Sequence, residues 1–131
     1  MPDFRTTCQI HAAIFAALFA IYMLAPGLSF IAFDLGAPPE ARFVARRAGI
    51  ILLGVAAIAF LARGLPPSPA RQAIVVGLIV IWGGLAAFGA TAILRGVVGW
   101  TAWGTVVVEA VLAIILVPHL RSRPKDGSDA G

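Results

Sequence analysis

Four long apolar segments, separated by short polar or proline-containing connections, dominate the pattern of hydrophobic and polar positions along the chain. An α-helix rises about 1.5 Å per residue, so about 20 residues cross the hydrocarbon core of a bilayer. Each segment approaches or reaches that length, and the second does so once Arg46 and Arg47 extend their charged ends towards the interface. The pattern therefore predicts an all-α integral membrane four-helix bundle with spans at residues 8–25, 43–63, 72–94 and 97–117.

The connections between these segments predict one interfacial stretch and one tight turn. Pro26 and Gly27 end the first span, and the apolar stretch Leu28–Phe33 that follows is too short to cross a bilayer. We expect it to lie along the interface or to re-enter the membrane slightly. The stretch Leu65–Pro69 predicts a turn because a helix cannot continue through its prolines. The ends of the chain are predicted to be a polar lead at residues 1–7 and a flexible tail at residues 119–131.

The composition excludes a water-soluble domain. Apolar residues make up 60% of the chain and charged residues 12%, against about 45–50% and about 25% in soluble domains. The net charge of +4 does not indicate nucleic-acid binding, because the basic residues lie at the segment ends and are not interleaved with aromatic residues. The single cysteine, Cys8, excludes an internal disulfide and a zinc site of several thiolates. The partner that composition predicts is the lipid bilayer.

Basic residues beside the spans predict the orientation of the chain. In a four-span topology both termini and the second connection share one side of the membrane, and the other two connections share the opposite side. The two groups of basic residues are Arg5, Arg63, Arg71, Arg121, Arg123 and Lys125 on the side of the termini, and Arg42, Arg46, Arg47 and Arg95 opposite. Because basic residues accumulate on the cytoplasmic side, this bias favours both termini in the cytoplasm.

Glu109 is the charged residue that lies deep inside an apolar segment. Thirteen uncharged residues precede it, from Gly96 to Val108. An ionised carboxylate in mid-membrane costs at least about 2.5–3.5 kcal/mol. We therefore expect Glu109 to be protonated, to face a wet cavity, or to pair with a base such as Arg46 or Arg47.

The polar face around Glu109 has two interpretations. Thr101 and Thr105 precede it at intervals of four residues and so lie on the same face of a helix. In the first interpretation this face is a proton or ligand site, and the threonines line a polar path together with Thr91. In the second, Glu109 is a protonated packing contact, and the threonine hydroxyls bond to carbonyls of their own helices.

Trp82 and two histidines are further candidates for ligand binding. Trp82 lies near mid-depth in the third span, where its ring can stack on a flat ligand such as a quinone or pack into the space beside Gly83 and Gly84. His11 and His119 lie near the ends of the first and last spans, which favours an interfacial position over a haem held between them. No spacing typical of a metal site occurs, so neither a metal nor a cofactor is predicted.

Two rows of small residues predict close contacts between helices. Small side chains at intervals of four residues let the backbones of neighbouring membrane helices approach closely. The rows are Gly83, Ala87 and Thr91 in the third span, and Cys8, Ala12, Ala16 and Ala20 in the first. We expect these rows to pack against a second copy of the chain or against a partner in a larger membrane complex.

The order of these features resembles the small DoxX-like four-helix membrane families, including relatives known only as domains of unknown function. The motifs that carry the resemblance are the Pro26–Gly27 stop, ARFVARRAGIILLG at Ala41–Gly54, PARQAIVVG at Pro69–Gly77 and VVEAVLAIIL at Val107–Leu116. The resemblance implies a bundle in a bacterial inner membrane. It carries over no catalytic residue, because most members have no established activity.

Three hypotheses for function follow. The first is a non-catalytic structural or accessory membrane subunit that packs through its small-residue rows. The second is a transport or binding protein for a small solute, in which Glu109 changes its protonation state. The third is an electron-transfer subunit that holds haem or a quinone. Enzymatic activity is the less favoured class, because the chain has no catalytic triad order, phosphate-binding glycine loop or pair of carboxylates within reach of each other.

Overall fold

Five α-helices and two 3-10 segments make up the computed structural model, which describes residues 2–121. The elements in chain order are α1 (Phe4–Leu24), α2 (Pro26–Ala32), α3 (Pro39–Ala62), α4 (Pro69–Leu94), a 3-10 segment (Trp100–Ala102), α5 (Trp103–Ile114) and a second 3-10 segment (Val117–Arg121). These residues contain no β-strand. The predicted all-α class is confirmed.

Four helical stretches are long and apolar enough to span a membrane. They are α1, α3, α4 and the stretch Trp100–Leu120, in which α5 is continued by 3-10 turns. The helix α2 has seven residues and measures only about 10 Å, so it is too short to cross. The chain is therefore a multi-pass membrane protein with the four-helix architecture that the hydropathy pattern predicts.

Prolines set the starts of three helices. Pro26, Pro39 and Pro69 stand in the first turns of α2, α3 and α4, where the N–H that proline lacks would have no helical partner. Pro26 therefore begins a new helix after ending α1, and Pro69 begins α4 three residues before the predicted start at residue 72.

The first helix also begins earlier than predicted, at Phe4 rather than at residue 8. The Asp3 carboxylate accepts a hydrogen bond of 2.8 Å from the backbone N–H of Thr6 and caps the helix. Hydrogen bonding from Thr6 holds the pKa of the Asp3 carboxyl below its usual value. Polar residues before the apolar segment thus form the first turn of α1.

The other end of the chain is helical for longer than predicted. The 3-10 segment Val117–Arg121 includes the first residues of the stretch 119–131 that was predicted to be a flexible tail. Residues 122–131, on which the rest of that prediction falls, lie outside the described part of the chain.

The four spanning stretches pack as two pairs, α1 against α3 and α4 against α5. Glycine permits a close approach within each pair. A Cβ atom added to Gly49 of α3 would lie 3.1 Å from the Tyr22 Cβ, and one added to Gly89 of α4 would lie 2.9 Å from a methyl group of Val106. Glycine at these two positions therefore lets the two helices of each pair approach closely within the monomer.

Two separate apolar clusters fill the bundle. We call the end that holds the starts of α1 and α4 the termini end, and the opposite end the α2 end. The cluster towards the termini end takes side chains from all four spanning stretches: Phe4, Cys8, Phe15, Ala56, Ala62, Val75, Leu78, Trp82, Leu112 and Leu116. The cluster towards the α2 end consists of Ile93, Ala102 and Val106, with Phe33 beside it. No residue of α1 or α3 belongs to that second cluster, so the two helix pairs share a core only towards the termini end.

At the α2 end, the last residue of α2 and the residues that follow it join the two helix pairs. The Gly99 N–H donates a hydrogen bond of 3.0 Å to the Phe33 carbonyl, and the Thr101 hydroxyl donates one of 3.1 Å to the Ala32 carbonyl. Asp34, at a positive φ of 55°, lies directly against Gly99, where an added Cβ would be 2.5 Å from the Asp34 Cβ. This close approach is what requires glycine at position 99.

Candidate functional site

Glu109 lies near the middle of the last span and is half-buried. It follows Trp100 by nine residues and precedes Leu120 by eleven. Among residues 2–121 its carboxyl makes no hydrogen bond, and no basic side chain is near enough to act on it. Because a lone carboxylate is costly at this depth, the group is either protonated or paired with something other than these residues.

Tyr22 of α1 is placed where a charge on Glu109 would act on its hydroxyl, although the two side chains form no hydrogen bond within residues 2–121. Side chains lean towards the N-terminus of their own helix. Because α1 and α5 run in opposite directions through the membrane, the side chains of Tyr22 and Glu109 lean towards each other. This pair was not predicted from the sequence.

Tyr22 also lines an apolar groove of about 400 Å³ at the α2 end. The other lining residues come from the α2 segment and from the start of α3: Ser29, Phe30, Phe33, Leu35, Ala41, Val44, Ala45 and Ala48. Tyr22 therefore combines two features: it lines an apolar groove, and a charge on Glu109 would act on its hydroxyl.

The two arginines predicted as partners of Glu109 do not lie beside it. Arg46 and Arg47 are exposed near the start of α3. The Arg47 guanidinium lies over the Phe43 ring, 5.9 Å from its centroid. Arg46 lines a second groove, against a different face of α2.

The threonines are bonded individually rather than joined in a path. The hydroxyls of Thr105 and Thr91 each donate a 2.8 Å hydrogen bond to a carbonyl in the preceding turn, of Ala102 and Phe88 respectively. Of these three threonines, only Thr101 bonds outside its own helical stretch, to the carbonyl of Ala32 at the end of α2. The threonine hydroxyls on the face of Glu109 therefore already donate hydrogen bonds to backbone carbonyls.

Trp82 packs within the protein core. Its side chain is buried, and its ring stacks on Phe15 at a centroid distance of 4.6 Å and an interplanar angle of 21°. His11 lies beside the indole at a centroid distance of 6.1 Å. A quinone can stack on the same indole face only if it displaces Phe15.

His11 is fully buried, which corrects the interfacial position expected from the sequence. The reason is the early start of α1, which places His11 two turns inside the helix. Its Nδ1 lies 2.8 Å from the Thr7 carbonyl oxygen, and its Nε2 lies 3.3 Å from the Leu112 carbonyl oxygen of α5. Both ring nitrogens therefore face hydrogen-bond acceptors, and neither is available to a haem iron.

A row of polar groups extends from His11 to the termini end. The Nε2 of His119 lies 3.2 Å from the Thr7 hydroxyl, and the Gln72 side chain donates a 3.2 Å hydrogen bond to the His119 carbonyl. The sequence indicates this row by the spacing of Phe4, Thr7, His11 and Phe15, which places the four side chains on one face of a helix. The structure buries that face.

Arg71 is the most deeply buried arginine among residues 2–120, with 9% of its surface exposed. Its guanidinium lies over the Phe4 ring at 3.8 Å from the centroid, a cation–π contact. The Arg71 charge acts on both Cys8 and His119, whereas its Nε has no hydrogen-bond partner among residues 2–121. Basic groups thus cluster at the termini end.

The two predicted rows of small residues have different positions. In α1, Cys8 and Ala12 are buried, Ala16 is exposed and Ala20 is half-buried. In α4, Gly83 is half-buried, and Ala87 and Thr91 are exposed. The α4 row therefore presents an uncovered face of small residues.

Comparison with known proteins identifies no relative. The chain matches no protein-family model, and no curated protein or solved structure is significantly similar to it. Residues 2–121 also contain no group of three His, Cys, Asp or Glu side chains placed to hold a metal ion.

Proposed function

We propose that the protein is a non-catalytic membrane subunit that assembles with a second copy of itself or with a partner membrane protein, and that Glu109 is a contact in that assembly. The observation that carries the proposal is the half-buried carboxyl of Glu109, which has no charged partner in residues 2–121. A polar group from another transmembrane helix would satisfy it. Residence in a bacterial inner membrane, termini in the cytoplasm and a place among the DoxX-like families are parts of the same proposal.

The uncovered α4 face supports the proposal independently of Glu109. Ala87 and Thr91 are exposed, and a Cβ added to Gly83 would contact nothing within 4 Å. A second transmembrane helix can therefore approach the α4 backbone closely along this row.

Native mass spectrometry of the protein released from its own membranes tests this assembly. We expect a defined complex for the wild-type protein and loss of that complex in Glu109→Ala, because the substitution removes the polar group that the partner satisfies. Glu40→Ala is the matched control, since Glu40 is an exposed carboxylate in the first turn of α3.

A second variant separates assembly from folding. Ala87→Leu adds bulk to the exposed α4 face without filling any space inside the monomer, and Ala57→Leu does the same on an exposed position of α3. We expect only Ala87→Leu to reduce the complex. A complex of unchanged mass in both Glu109→Ala and Ala87→Leu would contradict the proposal.

A second candidate function is proton-linked binding of a lipophilic cation. It is favoured by Tyr22, which lines the apolar groove and on whose hydroxyl a charge at Glu109 would act. If a cation competes with a proton for the Glu109 carboxylate, its binding must strengthen as the pH rises and the proton leaves.

Tetraphenylphosphonium serves as the probe for this function. We expect its affinity for the purified protein to increase between pH 5 and pH 8 and to be weak and independent of pH in Glu109→Gln. Glu40→Gln controls for the loss of an acidic residue elsewhere. Equal binding by the wild-type protein and Glu109→Gln would reject this function while leaving the assembly proposal intact.

A further inference from the structure

A second groove lies between α2 and the start of α3, on a different face of α2 from Tyr22. Its volume is about 380 Å³, within the range of about 300–1,000 Å³ for small-molecule sites. One wall is apolar, with Leu24, Leu28 and Ile31 among its residues, and the other carries Arg42 and Arg46. The groove therefore combines an apolar surface with a basic edge.

The apolar wall is not covered by the protein. Leu24 is 85% exposed, Leu28 57% and Ile31 70%. At the end of a transmembrane bundle, side chains of this kind contact lipid acyl chains. The apolar wall is thus suited to the hydrocarbon part of an amphiphile.

The basic edge is suited to a phosphate group. Arg42 and Arg46 are four residues apart, so they lie on one face of α3 with their Cβ atoms about 5–6 Å apart. The Arg42 Nε donates a 2.8 Å hydrogen bond to the Ala37 carbonyl, which fixes the base of the guanidinium and leaves its two terminal nitrogens to bind another group. A guanidinium matches the geometry of phosphate oxygens.

No acidic side chain lines this groove. Glu40 precedes Arg42 by two residues and so lies on nearly the opposite side of α3. Asp34 lies against Gly99 of the α4–α5 connection. The positive charge at the edge of the groove is therefore not neutralised by its surroundings.

We propose that the groove between α2 and α3 binds a phospholipid with an anionic headgroup, its phosphate held by Arg42 and Arg46 and its acyl chain lying along Leu24, Leu28 and Ile31. The apolar wall distinguishes this ligand from a free phosphate, which would use only the arginines. This site is separate from Glu109 and does not depend on the proposed assembly.

The test measures lipid retained by the full-length protein after transfer from vesicles of equimolar phosphatidylglycerol and phosphatidylcholine with identical acyl chains. Native mass spectrometry in mild detergent counts the bound lipids. We expect the wild-type protein to retain phosphatidylglycerol in preference to phosphatidylcholine. A basic residue near the membrane surface contributes about fivefold to the binding of an anionic lipid, so the double variant Arg42→Gln/Arg46→Gln should reduce that preference by about 30-fold.

Arg47→Gln is the matched control, because it removes the same charge from the adjacent position of α3, where the side chain lies over Phe43 and does not line the groove. We expect it to change the preference by less than about twofold. Leu28→Asn tests the apolar wall and should reduce retention of both lipids. Circular dichroism confirms that each variant keeps its helices, and Arg46→Gln alone replaces the double variant if that one unfolds.

Three results would overturn the proposal. The first is equal retention of the two lipids by the wild-type protein. The second is an equal loss of the phosphatidylglycerol preference in Arg47→Gln and in the arginine double variant. The third is displacement of the bound lipid by excess inorganic phosphate. The second would mean attraction to diffuse surface charge, and the third would mean a simple phosphate site.

Discussion

At the scale of single residues, His11 shows how the bundle satisfies a polar group in its core. Near the end of α5 the Leu116 N–H donates to the Ala113 carbonyl, as in a 3-10 turn. The Leu112 carbonyl is thereby free to accept from the Nε2 of His11. The Thr7 carbonyl lies 2.8 Å from Nδ1, although within α1 it also accepts the backbone N–H of residue 11. A neutral imidazole has one N–H, so the tautomer of His11 decides which of the two carbonyls receives the hydrogen bond.

We predict that His11→Ala lowers the free energy of unfolding in detergent micelles by about 2–4 kcal/mol. The substitution removes the packing of a fully buried side chain and the partner of the Leu112 carbonyl, at a cost of about 1–3 kcal/mol for a buried group left unsatisfied. Urea-induced unfolding followed by circular dichroism measures the change. Gln9→Ala, at an exposed position of the same helix, should change stability by less than about 0.5 kcal/mol. Equal stability of the two variants would mean that the His11 hydrogen bonds contribute nothing.

At the scale of helices, the sequence predicts the number and the approximate ends of the spans but not their inward faces. Apolar runs identify the four spans because length and hydropathy are sufficient for that purpose. The inward face cannot be identified in the same way, because in lipid the outward face is apolar too. The rows through Gly83 and Ala87 and through Ala12 and Ala16 are therefore predicted as contacts with another chain, whereas the close contacts within the monomer at Gly49 and Gly89 are not predicted.

The same reasoning explains which part of the candidate site could be predicted. Glu109 was identified because a carboxylate among apolar residues stands out in any membrane segment. Its neighbour Tyr22 was not, since the two residues are 87 positions apart in the chain and their proximity depends on how α1 and α5 pack. His11 was misplaced for a local reason, the cap at Asp3, which starts α1 among polar residues.

At the scale of the whole molecule, two helix pairs are held together differently at their two ends. Towards the termini end all four spanning stretches share one apolar cluster. Towards the α2 end, the second cluster contains no residue of α1 or α3, and the end of α2 makes the connection through Ala32 and the following residue, Phe33. The α2 end therefore depends on a few contacts around Gly99, and both grooves lie beside α2 at that end.

Gly99→Ala tests this dependence directly. The φ of Gly99 is −71°, which alanine adopts without strain, so the substitution acts only through the added Cβ, 2.5 Å from the Cβ of Asp34. We expect a loss of about 1–3 kcal/mol in the free energy of unfolding, the usual cost of adding a methyl group to a packed site. Gly104→Ala is the matched control, because a Cβ there meets nothing within 4 Å and alanine favours the helix by up to about 1 kcal/mol. If Gly99→Ala were as stable as Gly104→Ala, the two helix pairs would not be held together by this contact, and the shared core towards the termini end alone would keep them in register.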